Sequence, residues 1–322
     1  MRRAFINQLV ELAALDRRIL LLTGDLGYMA LEPFAERFPD RFWNVGVAEQ
    51  NMVGIATGLA EAGYIPFVYS IATFATLRPY EFIRHGPVLQ HLPVRVVGIG
   101  GGFEYGSNGA SHHALEDVAV MRAQPGMTVV VPADAHQATA ALAATWELPG
   151  PVYYRVGKND HVTVPGLDGR FELGRLQVLS MGSDIALVTM GAISADVLRA
   201  ADTLRQRGVA ATVAVVSSVR PAPLDDLASV LATVAVVMTI EAHYLDGGLG
   251  SLVAELIAER GVSCRLLRRA VTSVPSGVTG SEAFYLREHG LSVDAIVGDA
   301  LAALGLGAPN TEAVAASNGT QA

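Results

Sequence analysis

Lysine and cysteine are almost missing from this chain of 322 residues. Lys158 is the one lysine among 23 basic residues; the other 22 are arginine. A Schiff-base mechanism would have to use Lys158, which sits in a Gly-Lys-Asn-Asp turn rather than the desolvated pocket such an amine needs. Cys264, the sole cysteine, can make no internal disulfide and no cysteine cluster, and it fits a reducing, cytoplasmic compartment. The eight histidines include no HExxH, so a metal site has no support in this chain. Uncharged stretches such as 63–77 fall short of the roughly 20 apolar residues of a membrane helix. The opening segment MRRAFINQLVELAALDRRILLL spreads its charges along an amphipathic helix, unlike a secretion signal. Basic residues are in deficit, 23 against 31 acidic, for a net charge of −8. Such a body repels phosphate backbones, so neither nucleic acid nor membrane is expected as a partner. The glycine fingerprints of nucleotide sites also fail. GxGxxG breaks at Phe103 or Tyr105 in the first glycine cluster and at Val253 in the second, and GxxxxGK[ST] does not occur.

What is present is a large apolar content, 51% hydrophobic against 17% charged, enough to bury two domain cores. Apolar β-rich runs at 19–22, 65–70, 94–99, 128–131 and 152–156 alternate with amphipathic segments at 4–14, 48–62, 78–88, 115–122 and 135–147. Turn formers and charges then dominate 157–179, where a linker with a short edge strand is expected. A second alternation follows, with strands at 185–189, 212–216, 234–240 and 264–268 and helices at 194–207, 224–231, 249–258 and 293–304. The reading is an α/β fold of two consecutive α/β domains, each with a mainly parallel sheet flanked by helices. The first spans 1–160, a linker 161–180, the second 181–306, and a polar, small-residue tail at 307–322 is expected to be disordered.

Two places carry chemical promise. Glycines 98, 100, 101 and 102 close a strand, where they serve either a tight turn or the close approach of a ligand; the two readings weigh equally. The run NVGVAEQNMVGIATGLA over 44–60 opens a helix at Glu49 and lays Gly54, Gly58 and Ala62 along one bare stripe. A carboxylate at a helix start is favoured by the macrodipole, so Glu49 reads on spacing alone either as a cap or as a functional group.

VGVAEQNMVGIATGLA resembles the glutamate-bearing helix of the pyrimidine-binding domain of transketolases, a thiamine diphosphate family. GSNGASHHALEDVAVMRAQPGMTVVVPADA resembles that family's Thr-His-Gln stretch and its Ala-Leu-Glu-Asp helix, and IEAHYLDGGLGSLVAELI resembles its C-terminal domain. The likeness runs over nearly all of 1–306. The GDG motif and the Asn-Asn pair that hold the diphosphate and its metal are missing; Gly24-Asp25-Leu26 with Asn51 only mimics their spacing. The resemblance therefore implies the C-terminal subunit of a split transketolase. Its N-terminal partner would carry GDG and Asn-Asn, bind Mg2+ or Ca2+, and assemble with it as an α2β2 heterotetramer.

The resemblance implies that Glu49 hydrogen-bonds N1′ of the aminopyrimidine and favours the tautomer whose N4′ takes the thiazolium C2 proton. A two-carbon ketol unit would then pass from a ketose to an aldehyde. Phe74 falls where the family stacks a ring on the aminopyrimidine, Ile71 replaces a second phenylalanine, and Asp25 belongs to the same cofactor-facing set. His112 matches the substrate histidine and is the second catalytic candidate; His113 stands where glutamine is common, and Asn108 replaces a donor-reading aspartate. Arg155 and Arg2 match two phosphate-holding arginines, whereas Met29 and Gly100 replace two other anchors. A small-molecule sugar other than an ordinary pentose phosphate is therefore expected. Two alternatives share Glu49, the β chain of a pyruvate dehydrogenase-type enzyme and a deoxyxylulose phosphate synthase-like enzyme; a non-catalytic scaffold is a third reading.

Overall fold

The computed structural model describes residues 1–275 and 277–307, so the expected tail lies outside the described residues except for Gly307. Among the described residues, twelve strands build two sheets: β1 (Ile19–Thr23), β2 (Phe42–Asn44), β3 (Ile65–Ile71), β4 (Arg95–Ile99), β5 (Thr128–Val130), β6 (Val152–Val156), β7 (Gln177–Ser180), β8 (Ile185–Thr189), β9 (Ala211–Val215), β10 (Ser218–Arg220), β11 (Val236–Tyr244) and β12 (Arg265–Val271). The first sheet runs β10-β5-β6-β4-β3-β1-β2 and the second β12-β11-β8-β9-β7. Pairing is parallel except at two edges, β10 with β5 and β7 with β9. Two mainly parallel sheets flanked by helices are the architecture the alternating sequence implies.

Side-chain alternation explains how the first sheet is covered. In β3, Ile65, Phe67 and Tyr69 join an apolar cluster with Phe5, Ile6 and Leu9 of helix Arg2–Leu15. Val68 points the other way, onto Met52, Val53 and Ala56 of helix Glu49–Glu61. β1 divides in the same manner, Ile19 and Leu21 to one cluster and Leu20 and Leu22 to the other. A strand apolar on both faces demands a layer of helices on each, which is why these strands read as unbroken hydrophobic runs.

Two features depart from the sequence reading. β10 leaves the second unit and pairs antiparallel with β5, Ser218 opposite Val130, and the Val131 N–H donates to Ser217 O at 2.8 Å. The sheets are thereby stitched, and one apolar cluster runs from Val68 and Val96 through Val131 to Val188 and Leu227. The amphipathic segment 78–88 is no continuous α-helix. It is a short turn, Tyr80–Ile83, widened into a π turn at Arg84–Val88. Pro87 lacks the N–H that a regular helix would use there, and Gly86 is pressed so close to Thr57 that a Cβ would collide with its Oγ1.

Candidate active site

The carboxyl end of β3 and the first residue of helix Glu49–Glu61 meet. Alternation places Ser70 on the strand face that this helix covers, and its hydroxyl donates to Glu49 Oε1 at 3.1 Å. Glu49 is 1% exposed. Its other oxygen accepts from Arg78 Nη1 at 2.9 Å, and the Arg78 guanidinium carbon lies 3.8 Å from the centroid of Phe74. A flat, hydrogen-bond-donating cation thus lies on an aromatic face with its edge against a buried carboxylate. Arg78 is 41% exposed and reaches this position from outside. A planar nitrogen heterocycle bearing ring-edge donors would satisfy the same two groups.

The remaining walls come from neighbouring strand ends. Ile71, half-buried, is the last residue of β3 and the N-cap of helix Ala72–Thr76, which carries Phe74. His112 meets the Phe74 ring edge-on, centroids 5.1 Å apart, and lies 6.4 Å from Tyr105. Asp25, exposed and left-handed at φ 60°, sits beyond β1 and is clipped by Asn44. Asn44 Nδ2 donates to Asp25 Oδ1 at 2.8 Å, and Asn44 Oδ1 accepts from the N–H groups of Asp25 and Gly46, both at 3.0 Å. Gly24 fits tightly behind, where a Cβ would lie 3.4 Å from Gly46 O and 3.7 Å from Glu49 Oε1. Asn108 is exposed on the loop that bears His112. Among the described residues no group of three or more His, Cys, Asp or Glu side chains could hold a metal ion. Among them, too, no helix is long and apolar enough to cross a membrane.

Residues 1–161 match the transketolase pyrimidine-binding domain, and residues 174–296 match the transketolase C-terminal domain. The chain belongs to the transketolase family. It is 35% identical over 299 residues to a putative transketolase C-terminal section of Methanocaldococcus jannaschii, covering 92% of this chain and 93% of that protein. It is 35% identical over 271 residues to one subunit of the apulose-4-phosphate transketolase of Phocaeicola vulgatus, covering 83% and 86%. A solved split-gene transketolase, described as an inactive beta4 tetramer, superposes with a TM-score of 0.85 at 37% identity, covering 95% of this chain and 99% of that one.

Within this transketolase chain the expected site residues separate into two groups. Glu49, Phe74 and His112 are linked in series, Glu49 to Arg78, Arg78 over the Phe74 ring and Phe74 against His112, with Ile71 next to Ser70 at the end of β3. Arg155 lies outside this series: its Nε donates to Asp117 Oδ2 at 2.8 Å, and its Nη2 donates to Ala114 O at 2.8 Å and Ala242 O at 3.0 Å. Its Nε and Nη2 are thus committed to an interior ion pair and two carbonyls, and of the guanidinium only Nη1 is left outside these bonds for the phosphate contact expected of it. His113 is likewise interior, 4% exposed, and neither ring nitrogen makes a hydrogen bond. Burial holds its pKa below the usual histidine value. Arg2 lies half-buried beside Tyr69, whose phenol is pushed up by burial and drawn back by that arginine. Lys158, dismissed above as an imine former, sits 4.3 Å from the Tyr105 centroid.

The glycine cluster at 98–102 resolves toward packing. A Cβ on Gly98 would meet the Tyr153 hydroxyl at 2.8 Å, one on Gly100 would run into the Tyr105 ring, and one on Gly101 would meet the Arg155 guanidinium at 2.5 Å. Gly54 and Gly58 do the opposite. Gly54 faces only the Phe82 ring, at 3.7 Å, and a Cβ on Gly58 would find nothing within 4 Å. Ser70, Arg78 and Tyr105 were missed. The one available signal was Arg78, a charge placed four residues past a candidate aromatic and so on the same side of a helical turn.

Proposed function

We propose that this chain is the C-terminal, pyrimidine-binding subunit of a split, thiamine diphosphate-dependent transketolase acting in the cytoplasm. The observation that carries the reading is the gap between Glu49 and the Phe74 ring, which the Arg78 guanidinium now bridges. The coenzyme, when bound, supplies a nucleophilic carbon that breaks and re-forms the bond beside a sugar carbonyl. Glu49 holds a proton at the edge of the pyrimidine ring, Ser70 fixes the carboxylate from behind, and Phe74 supports the ring face. Arg78 must leave for that contact to form. His112 stands over the other side of Phe74, where it orients the sugar and donates to a developing oxyanion.

The partner subunit supplies the GDG and Asn-Asn grip on the diphosphate and its Mg2+ or Ca2+, since this chain carries neither motif. An α2β2 assembly fits the uncovered Gly54/Gly58 stripe, which borders an apolar groove of about 370 Å3 edged by Phe82 and Gly86. That a split-gene relative is described as inactive in a beta-only tetramer supports the same requirement. Beside the loop that bears His112, Arg2 and Lys158 flank Tyr105, and they join Arg155 as the candidate cations for an anionic sugar. A sugar acceptor or donor other than an ordinary pentose phosphate is the reading carried forward, in keeping with the substrate named for the apulose-4-phosphate relative.

The test is reconstitution with a candidate N-terminal subunit that carries GDG and Asn-Asn, a screen of ketose donors, and the variant Glu49→Gln. Loss of turnover by about 10²–10⁴-fold is expected. Unchanged turnover would turn the reading toward a scaffold role, and CO2 release from pyruvate toward the decarboxylating relatives.

A further inference from the structure

The groups that touch Glu49 and Phe74, namely Ser70, Arg78 and His112, all come from the first domain, yet among the described residues the C-terminal domain is bound to the loop that carries His112. That loop leaves β4 and is closed at its base by an antiparallel bridge. The Gly102 N–H donates to Ala114 O at 2.8 Å and the Ala114 N–H to Gly102 O at 3.0 Å. The tip is exposed at Ser107, Asn108, Ala110 and Ser111. The base is not. Phe103, fully buried, lies parallel to the Tyr285 ring at 5.0 Å and 12° and to the His289 ring at 5.1 Å and 9°. His113 stands edge-on to both aromatic rings, 5.1 Å from Phe103 and 4.7 Å from Tyr285. Tyr285 and His289 are four residues apart and share one face of helix Glu282–Glu288 and its cap.

Backbone contacts repeat the message. A Cβ on Gly106 would lie 2.7 Å from Gly280 O and 3.0 Å from Tyr285 Cδ2, and one on Gly102 would lie 2.8 Å from Ala242 Cβ. Past the loop, the Tyr244 N–H donates to Leu115 O at 2.8 Å, and Arg155 Nη2 ties Ala114 O to Ala242 O. The Tyr285 hydroxyl donates to Val278 O, while the ring itself is held by its packing against Phe103 and His113. An eleven-residue loop left free would sample many arrangements, and each residue ordered in advance removes part of the entropy cost of reaching the working geometry.

We infer that Tyr285, His289 and Phe103 are positioning residues: the C-terminal domain clamps the base of the 103–113 loop and thereby sets His112 against Phe74. The role given to His112 rests on the proposed function; the clamp does not. The clamp is unlike a general packing contact because its two ends differ. The base of the loop is buried in the C-terminal domain, and His112, next to that base, is the side chain that touches the Phe74 ring.

Three variants of the full chain test it without substrate. His289→Ala removes one stacked ring from a half-buried site, Gly106→Ala forces a Cβ against Gly280, and Tyr285→Phe keeps the ring. Hydrogen exchange over 103–113 is expected to quicken at least tenfold in the first two and to hold in the third, with β3 and β8 unchanged. The His112 imidazole resonance, assigned by its loss in His112→Gln, is expected to lose its Phe74 ring-current shift in the same two variants. Unchanged exchange, or an unchanged His112 shift despite faster exchange, would overturn the clamp. Failure of the functional reading looks different. His112→Gln would leave turnover of the reconstituted enzyme intact while the exchange results stand.

Discussion

Glu49 and Asp117 are each the first residue of a helix, each 1% exposed, and each paired with an arginine. The helix dipole favours both carboxylates equally. They differ in what the arginine can do. Arg155 is 6% exposed, anchored on β6, and bound also to two carbonyls, while Tyr153 donates to the same Asp117 oxygen at 2.6 Å. Arg78 is 41% exposed and holds Glu49 from a short turn at the rim. A buried acid whose counter-charge is locked is architecture. On the proposed function, a buried acid whose counter-charge can step aside takes a ligand of the same shape.

The sharpest way to break this contrast is Asp117→Ala. It leaves the Arg155 guanidinium uncompensated in the interior and should cost about 3–5 kcal/mol in a urea melt. Glu49→Gln should stay within about 1 kcal/mol of the parent, since the cation it abandons can turn to solvent. Equal losses would erase the distinction.

Next in size is the pH response of the locked side. His243 donates from Nδ1 to Tyr244 O at 2.7 Å and accepts at Nε2 from Ala119 N–H at 3.3 Å, on the Asp117 helix. Burial pushes its pKa down to about 4. The unfolded chain then binds the proton more readily, so stability present above pH 6.5 is lost as pH falls toward 4. Its neighbour Glu241, raised to about 7 by burial, acts with the opposite sign: the stability it lends at pH 4.5 is lost as pH rises through 7. Replacing His243 by Gln should therefore remove an acid-side loss of roughly 2–3 kcal/mol between pH 6.5 and 4.5, read by melts at those two pH values.

Smaller effects belong to the open side. Arg78→Leu should alter stability by no more than about 1 kcal/mol and tighten thiamine diphosphate uptake by up to about fivefold, because no ion pair has to be broken first. Weaker uptake would place Arg78 in the bound site and redraw the comparison. Gly58→Ala, on Glu49's own helix and facing open space, should stabilise the free chain by about 0.5–1 kcal/mol.

The fold was legible because parallel strands buried on both faces announce themselves as apolar runs, and β6 and β8 fall on the expected residues. β10 was not legible. Three residues, Ser218, Val219 and Arg220, carry no periodicity, and their partner Val130 lies almost ninety positions earlier. The grouping of Glu49, Phe74 and His112 could be anticipated from motifs, but Arg155 could not be placed, since its ion pair depends on Asp117 arriving from another element. His113, expected on the substrate side, lies against Phe103 and Tyr285, a packing that no local sequence pattern shows.

The excursion of β10 into the first sheet has a practical corollary. The glycine-rich stretch near residue 165 looks like a natural place to sever the gene, but a fragment ending there would leave β5 with a bare flank of unpaired N–H and C=O groups. Such a truncation should self-associate through that flank. A soluble half would have to carry residues 217–220 along as a tether.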